Sequence, residues 1–194
     1  IGAFQGEFSR SLIISGYKKK IISFEPVTEN HRQLLLQAKK FKNWSVYERV
    51  GLGDKRTTLK INVSENLQSS SFLNNNSNHV KILKESNYKY SEDCKVILLD
   101  DIYEDLILDY QNIFIKIDAQ GFEKKIIDGG LKTLSKCKGI LCEVNNEILY
   151  KNDIHWKDMM KIFEDLNFRL YSIRDAYTDL DTGKTIQFDV IFIK

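Results

Sequence analysis

A lysine interrupts the apolar run Phe114-Ile115-Lys116-Ile117, and Asp118 follows it two residues on. Residues Ile113 to Ile117 read as a strand. In a parallel sheet covered on both faces, an unpaired ammonium there costs several kcal/mol, so a partner is required. Side chains two apart on a strand share a face, which turns Lys116 toward Asp118. The next apolar run, Ile140-Leu141-Cys142-Glu143-Val144, carries Glu143 near its end. With the two runs adjacent, Lys116, Asp118 and Glu143 converge at the carboxyl ends of neighbouring strands. Open α/β sheets bind ligands there, and charge clusters of this kind shift one another's pKa. A carboxylate so placed can take a proton from a hydroxyl, with the lysine holding it charged. A structural ion pair is the competing reading.

A second constellation lies at the start of the chain. Gly2-Ala3-Phe4-Gln5-Gly6 places two glycines four apart just before a helical stretch. Glycines let backbone approach a ligand, and a helix start offers free N–H groups. Glu25 ends the following apolar strand, nineteen residues past Gly6, and Pro26 then takes the chain out of the ladder. Doubly wound folds place the carboxylate that accepts ribose hydroxyls at about that distance. The spacing G-x-x-x-G differs from the G-x-G-x-x-G of dinucleotide sites and suits a ligand without a pyrophosphate. No Tyr-x-x-x-Lys pattern supports a short-chain dehydrogenase. The pattern therefore favours S-adenosylmethionine over a nicotinamide cofactor.

Weaker candidates yield to structural explanations. Asp179-x-Asp181 with Gly183 lacks the later glutamate of a calcium loop and reads as a hairpin turn. The doublet Asp100-Asp101 reads as a helix start, one of the two serving as cap. His155 beside Trp156, with Tyr150 and Asn145 nearby, is a weaker candidate for the acceptor side of a pocket. No metal site is expected.

These residues need a scaffold, and the apolar pattern describes one. Strand candidates at Ile21–Phe24, Trp44–Val50, Ile113–Ile117 and Gly139–Val144 alternate with helical stretches at Thr28–Phe41, about Gly121–Leu134 and about Trp156–Leu166. In the first helix Leu34, Leu35 and Ala38 are expected on the inner face. Phe168–Ile173 and Phe188–Ile193 close the chain as a strand pair around Asp181-Thr182-Gly183. This is an α/β pattern: a mostly parallel sheet with helices on both faces. A polar insertion around residues 62–92, almost all Asn and Ser between Asn66 and Asn78, breaks the alternation and reads as a loop or lid over a single domain spanning 1–194.

Composition narrows the function classes. A formal charge of +2 argues against a nucleic-acid or anionic-membrane partner. No apolar run approaches the roughly 18 residues of a membrane span. The three cysteines, Cys94, Cys137 and Cys142, form no metal spacing and cannot all pair, which points to a reducing compartment and an expected cytoplasmic location.

The segments IGAFQGEFS, ISFEPVTEN, VGLGD, VILLDDI, FIKIDAQGFEKKIIDGG and ILCEV occur in the order and spacing of the FkbM-type methyltransferases. The sequence resembles that family from Ile1 to about Tyr171, most specifically in KIDAQGFE with the downstream Gly129-Gly130. The resemblance implies a Rossmann-like, seven-stranded sheet whose last strand is antiparallel. It implies S-adenosylmethionine as cofactor. Gly2, Ala3, Phe4 and Gly6 would line its methionine and ribose side, with Glu25 and Pro26 at the ribose, Leu52 and Gly53 near the adenine, and Asp118 at the methionine end. The family's central first strand precedes the first glycine and is expected to be missing from this chain. Family members mostly methylate hydroxyl oxygens, many on sugars, so a small-molecule or glycan hydroxyl is the expected acceptor. A binding module without activity, and a nicotinamide or nucleotide-sugar enzyme on the same scaffold, are the alternatives.

Overall fold

The computed structural model describes residues 1–106 and 112–194, with only the backbone at positions 78, 80, 81, 84 and 104. Helix α1 (Glu7–Ile14) leads to strand β1 (Ile21–Ser23), helix α2 (Thr28–Ala38) and strands β2 (Trp44–Val46) and β3 (Gly51–Leu52). Strand β4 (Thr57–Ser64) is joined to β5 (Tyr88–Ile97) through α3 (Ser77–Ile82), and α4 (Tyr103–Leu106) follows. Strand β6 (Phe114–Ile117), helices α5 (Glu123–Asp128) and α6 (Leu131–Lys136), strand β7 (Gly139–Asn145), helix α7 (Trp156–Asp165) and the strands β8 (Arg169–Asp179) and β9 (Lys184–Ile193) complete the order.

Among the described residues, hydrogen bonding divides the strands into three groups: β1-β2, β3-β5-β4 and β6-β7-β9-β8. The parallel ladders, β1 with β2, β3 with β5 and β6 with β7, are short. The antiparallel ladders of β4 with β5 and of β9 with β7 and β8 are long, so parallel pairing does not dominate as the alternation had suggested. The reason is local: both antiparallel units containing hairpin-like returns extend several residues beyond their apolar runs. The final strand is antiparallel to both of its neighbours, as expected.

The core is centred on β6, β7 and β9, where Ile117, Ile140, Cys142, Val190 and Phe192 are completely buried against Ile127, Leu134 and Phe163 of the covering helices. In α2 the inward stripe is Asn30, Leu34 and Ala38, spaced by four, while Leu35 lies about 100° around the helix and is 38 % exposed. Trp44 packs beside Leu34, and its indole N–H donates to Ser23 Oγ at 2.9 Å.

The helix expected over about Gly121–Leu134 is two helices, divided at Gly129-Gly130. A Cβ at Gly129 would lie 1.8 Å from the Gly53 carbonyl oxygen, so the glycine lets the helix end abut the turn after β3. Asp100 caps α6 from outside, accepting from Lys132 N at 3.0 Å and from Thr133 N and Oγ1 at 2.7 Å each. Asp101 instead accepts from Leu98 N within the preceding turn and pairs with Arg56.

The polar insertion is narrower than residues 62–92, because both of its ends belong to the β4–β5 ladder. Its first part folds back: Asn62 and Ser71 exchange two backbone hydrogen bonds, 2.8 and 3.0 Å. Cys94, Cys137 and Cys142 are buried free thiols, and burial raises the pKa of each. No helix among the described residues is long and apolar enough to cross a membrane.

Candidate functional site

The first six residues form a tight turn between β1 and β6. Gly2, Phe4 and Gly6 have φ of 68°, 51° and 96°, and a Cβ on Gly2 would lie 1.6 Å from the Asp118 carbonyl oxygen. Backbone conformations of this hand favour glycine, which explains the two terminal positions. Phe4 is held there without that freedom: its N–H donates to Glu25 Oε2 at 2.8 Å. Glu25 Oε1 accepts from Val27 N at 3.0 Å, so one carboxylate ties the turn to the start of α2. Ala3 N donates to the Phe24 carbonyl at 3.0 Å. On the other side Ile1 N donates to the Lys116 carbonyl and Ile1 O accepts from Asp118 N, the register of a parallel ladder with β6.

A cavity of about 600 Å³ opens over this turn. Gly2, Ala3, Phe4, Glu25, Pro26, Leu52, Lys116 and Asp118 line it, bringing together eight residues singled out in the sequence. Gly6 packs beneath the turn against Trp44, and Gly53 against Val96 and Phe122, outside the lining. The polar insertion supplies one wall, through Leu67, Gln68, Ser70, Ser71 and Phe72, none of which carries a signal of its own in the sequence. Phe72 packs on Phe122 with ring centroids 5.0 Å apart.

Lys116 and Asp118 pair as expected, Nζ to Oδ2 at 2.6 Å, with both side chains mostly buried. Burial alone would lower the lysine's pKa. The charge of Asp118, its hydrogen bond and the nearby Glu143 outweigh that and raise it. Register places Lys116 opposite Leu141 and Ile117 opposite Cys142, so Asp118 comes level with Glu143. The two carboxyl groups are joined by a residue not singled out in the sequence. Gln120 Nε2 donates to Asp118 Oδ1 at 3.0 Å and to Glu143 Oε2 at 3.1 Å. Glu143 itself does not line the cavity; burial first, and the charges of Asp118 and Glu123 next, push its carboxyl well above the ordinary range. Burial likewise raises Glu25 to about 7 and Glu123 to about 8.

The three weaker candidates lie away from the cavity lining. Tyr150 is fully buried, its hydroxyl donating to Gln120 Oε1 at 2.7 Å. Asn145 donates to Asp153 at 2.6 Å and accepts from Gln187 at 3.0 Å. His155 caps α7, its Nδ1 accepting from Lys157 N. Among the described residues no group of three or more His, Cys, Asp or Glu side chains could hold a metal ion.

The family model of the methyltransferase FkbM domain matches residues 1–170. The chain belongs to the FkbM methyltransferase family. In structure it is similar to the FkbM methyltransferase of Methylobacillus flagellatus KT, with a TM-score of 0.62 at 15 % identity over 98 % of this chain. This chain spans 41 % of the length of that protein. A SAM-dependent methyltransferase from Aquifex aeolicus aligns over 99 % of this chain and 78 % of its own, at 14 % identity and a TM-score of 0.49. No curated protein matches the sequence.

Membership in this FkbM family implies S-adenosylmethionine as methyl donor, and the site fits it. The glycine turn leaves no room for a side chain at Gly2, a buried carboxyl, Glu25, lines the cavity, and Leu52, Phe72 and Phe122 give it an apolar wall, the kinds of group that a ribose and a base need.

Proposed function

We propose that the protein is an S-adenosylmethionine-dependent O-methyltransferase acting on a hydroxyl of a sugar, a glycan or a related small molecule. The observation that carries the reading is the Lys116–Asp118 pair. It presents a carboxylate to the cavity at the carboxyl end of β6, beside the glycine turn.

In this reading Gly2, Ala3 and Phe4 hold the amino-acid part of the cofactor through backbone groups. Glu25 and Pro26 hold the ribose, and Leu52 shapes the adenine end, with Gly53 behind it outside the lining. When bound, the cofactor supplies a methyl group on a positively charged sulfonium, a good leaving group. The protein's work is then positioning and proton removal. Asp118 accepts the proton of the acceptor hydroxyl as its oxygen becomes a nucleophile. Lys116 orients Asp118 through the 2.6 Å ion pair, and Glu143 lies behind it, its carboxyl pushed by burial well above the ordinary range. Asn145, Tyr150 and His155, expected on the acceptor side, lie outside the cavity lining and are given no direct contact with the acceptor in this reading.

The finer fold belongs to the same proposal: a single Rossmann-like domain in which the edges of β1 and β6 face each other across Ile1, whose ladder hydrogen bonds to β6 support it. A reducing, cytoplasmic location is proposed on the three buried free thiols.

Calorimetric titration with S-adenosylhomocysteine and with NAD tests the cofactor; micromolar binding of the first and none of the second is expected. Preference for NAD or a nucleotide sugar would replace the reading with the alternative enzyme class. Asp118→Asn is expected to retain S-adenosylhomocysteine within a few-fold while methyl transfer to a hydroxyl acceptor falls about 100-fold or more. Undiminished transfer would remove Asp118 as the base, and no transfer by the intact protein to any acceptor of a glycan panel would favour a non-catalytic module.

A further inference from the structure

Gln120 occupies a backbone conformation that a glutamine rarely adopts, with φ of 54°. Its carbonyl accepts from Ser71 Oγ at 2.6 Å, so the polar insertion fixes the peptide from the cavity side. Its side chain makes three contacts: Nε2 to Asp118 and to Glu143, and Oε1 to the buried Tyr150 hydroxyl. Only one amide orientation satisfies them. A flipped amide would set its oxygen against the Asp118 carboxylate. Both N–H bonds are therefore committed, one to each acid, and glutamine does this while adding no charge to a buried cluster.

We infer that Gln120 is a positioning residue of the methyl-transfer site. By donating to Asp118 Oδ1 while Lys116 holds Oδ2, and by anchoring its own amide on Glu143 and Tyr150, it fixes the orientation of the Asp118 carboxylate that faces the cavity. The inference rests on the proposed methyltransferase reading. Without the bridge, Asp118 Oδ1 loses its amide donor and Lys116 alone orients the carboxylate, while Glu143 keeps the amide of Gln187.

The test compares S-adenosylmethionine, whose sulfonium is positive, with S-adenosylhomocysteine, whose thioether is neutral. The ratio of their dissociation constants reads the charge presented to the sulfur and cancels contacts common to both ligands. Gln120→Met removes the hydrogen bonds at similar volume. Gln120→Asn suits the left-handed backbone better than glutamine does, so it preserves the fold, but its amide is one methylene too short for the bridge. In both variants the wild-type preference for the charged ligand should fall about tenfold, the lower end of what a hydrogen bond to an ionised group contributes. Equal weakening of both ligands, a ratio within twofold of wild type, or a wild type without preference would overturn the inference. Should Gln120→Met fail to fold, the asparagine variant decides alone. A wild type that binds neither ligand would instead overturn the methyltransferase reading itself.

Discussion

Glu25 makes the proposed cofactor site sensitive to pH in a direction that can be worked out. The residue is 4 % exposed, and burial raises its carboxyl pKa from 4.5 to about 7 although two backbone N–H groups donate to it. In the free protein it therefore holds a proton below neutrality. A ribose diol donating to the carboxyl stabilises its ionised form, so binding should expel that proton and return the pKa toward 4.5. Affinity for S-adenosylhomocysteine then rises with pH across the window from about 4.5 to 7. Between about pH 5.5 and 8 the expected gain is about thirtyfold, or about 2 kcal/mol. Calorimetry in two buffers of different ionisation enthalpy would count the released proton directly. Glu25→Gln, which cannot titrate, should bind more weakly and show neither the slope nor the proton release. The reasoning is refuted if the wild-type affinity changes less than threefold across that range, or if the variant retains the same slope.

Other groups carry further predictions. Glu123 is buried, accepts from Ala119 N at 2.6 Å and is raised to about 8, so the folded state binds a proton that the unfolded chain releases. Its contribution to stability is complete below the ordinary carboxylate pKa and is lost as pH rises toward about 8. Urea midpoints should therefore fall between about pH 6 and 8, and Glu123→Gln should flatten that fall by about 2 kcal/mol; an unchanged slope would contradict the assignment. Gly129→Ala should destabilise by about 3 kcal/mol or more, because its Cβ would meet the Gly53 carbonyl at 1.8 Å. Gly183→Ala, at φ 71° with open space around it, should cost only about 1–2 kcal/mol in the same denaturation assay. Equal losses at the two glycines would mean that the α5–α6 junction is not tightly docked.

Much of the site could be read from residue type and spacing. The pairing of Lys116 with Asp118 followed from strand periodicity and the cost of a buried charge, and Glu25 at the end of β1 followed from its distance to the glycine turn. Periodicity faltered where tertiary contacts chose between near-equal options. Leu34 and Leu35 are adjacent leucines, and packing against Trp44 selects only the first for the interior. The helix after Gly121 divides because the glycine pair meets the Gly53 backbone, a contact between residues far apart in sequence. Gln120 escaped notice because a neutral amide gives no charge anomaly. Its importance comes from standing between two acids on neighbouring strands, and only register reveals that. Tyr150 is an acceptor candidate by proximity to His155 in sequence, yet its hydroxyl is directed to Gln120 inside the core.

The three buried thiols give the molecule a set of internal clocks. Cys94 belongs to the small core under the β4–β5 ladder, Cys142 lies at the centre of β7, and Cys137 follows the end of α6. Each is protonated and shielded, so an alkylating reagent reacts with it only after the surrounding structure opens. The labelling rate of each cysteine then measures how often its own part of the molecule unfolds. A ligand seated over the first glycine turn, touching both the β4–β5 wall and the end of β6, would slow the Cys94 and Cys142 reactions together, joining two regions that the backbone ladders leave separate.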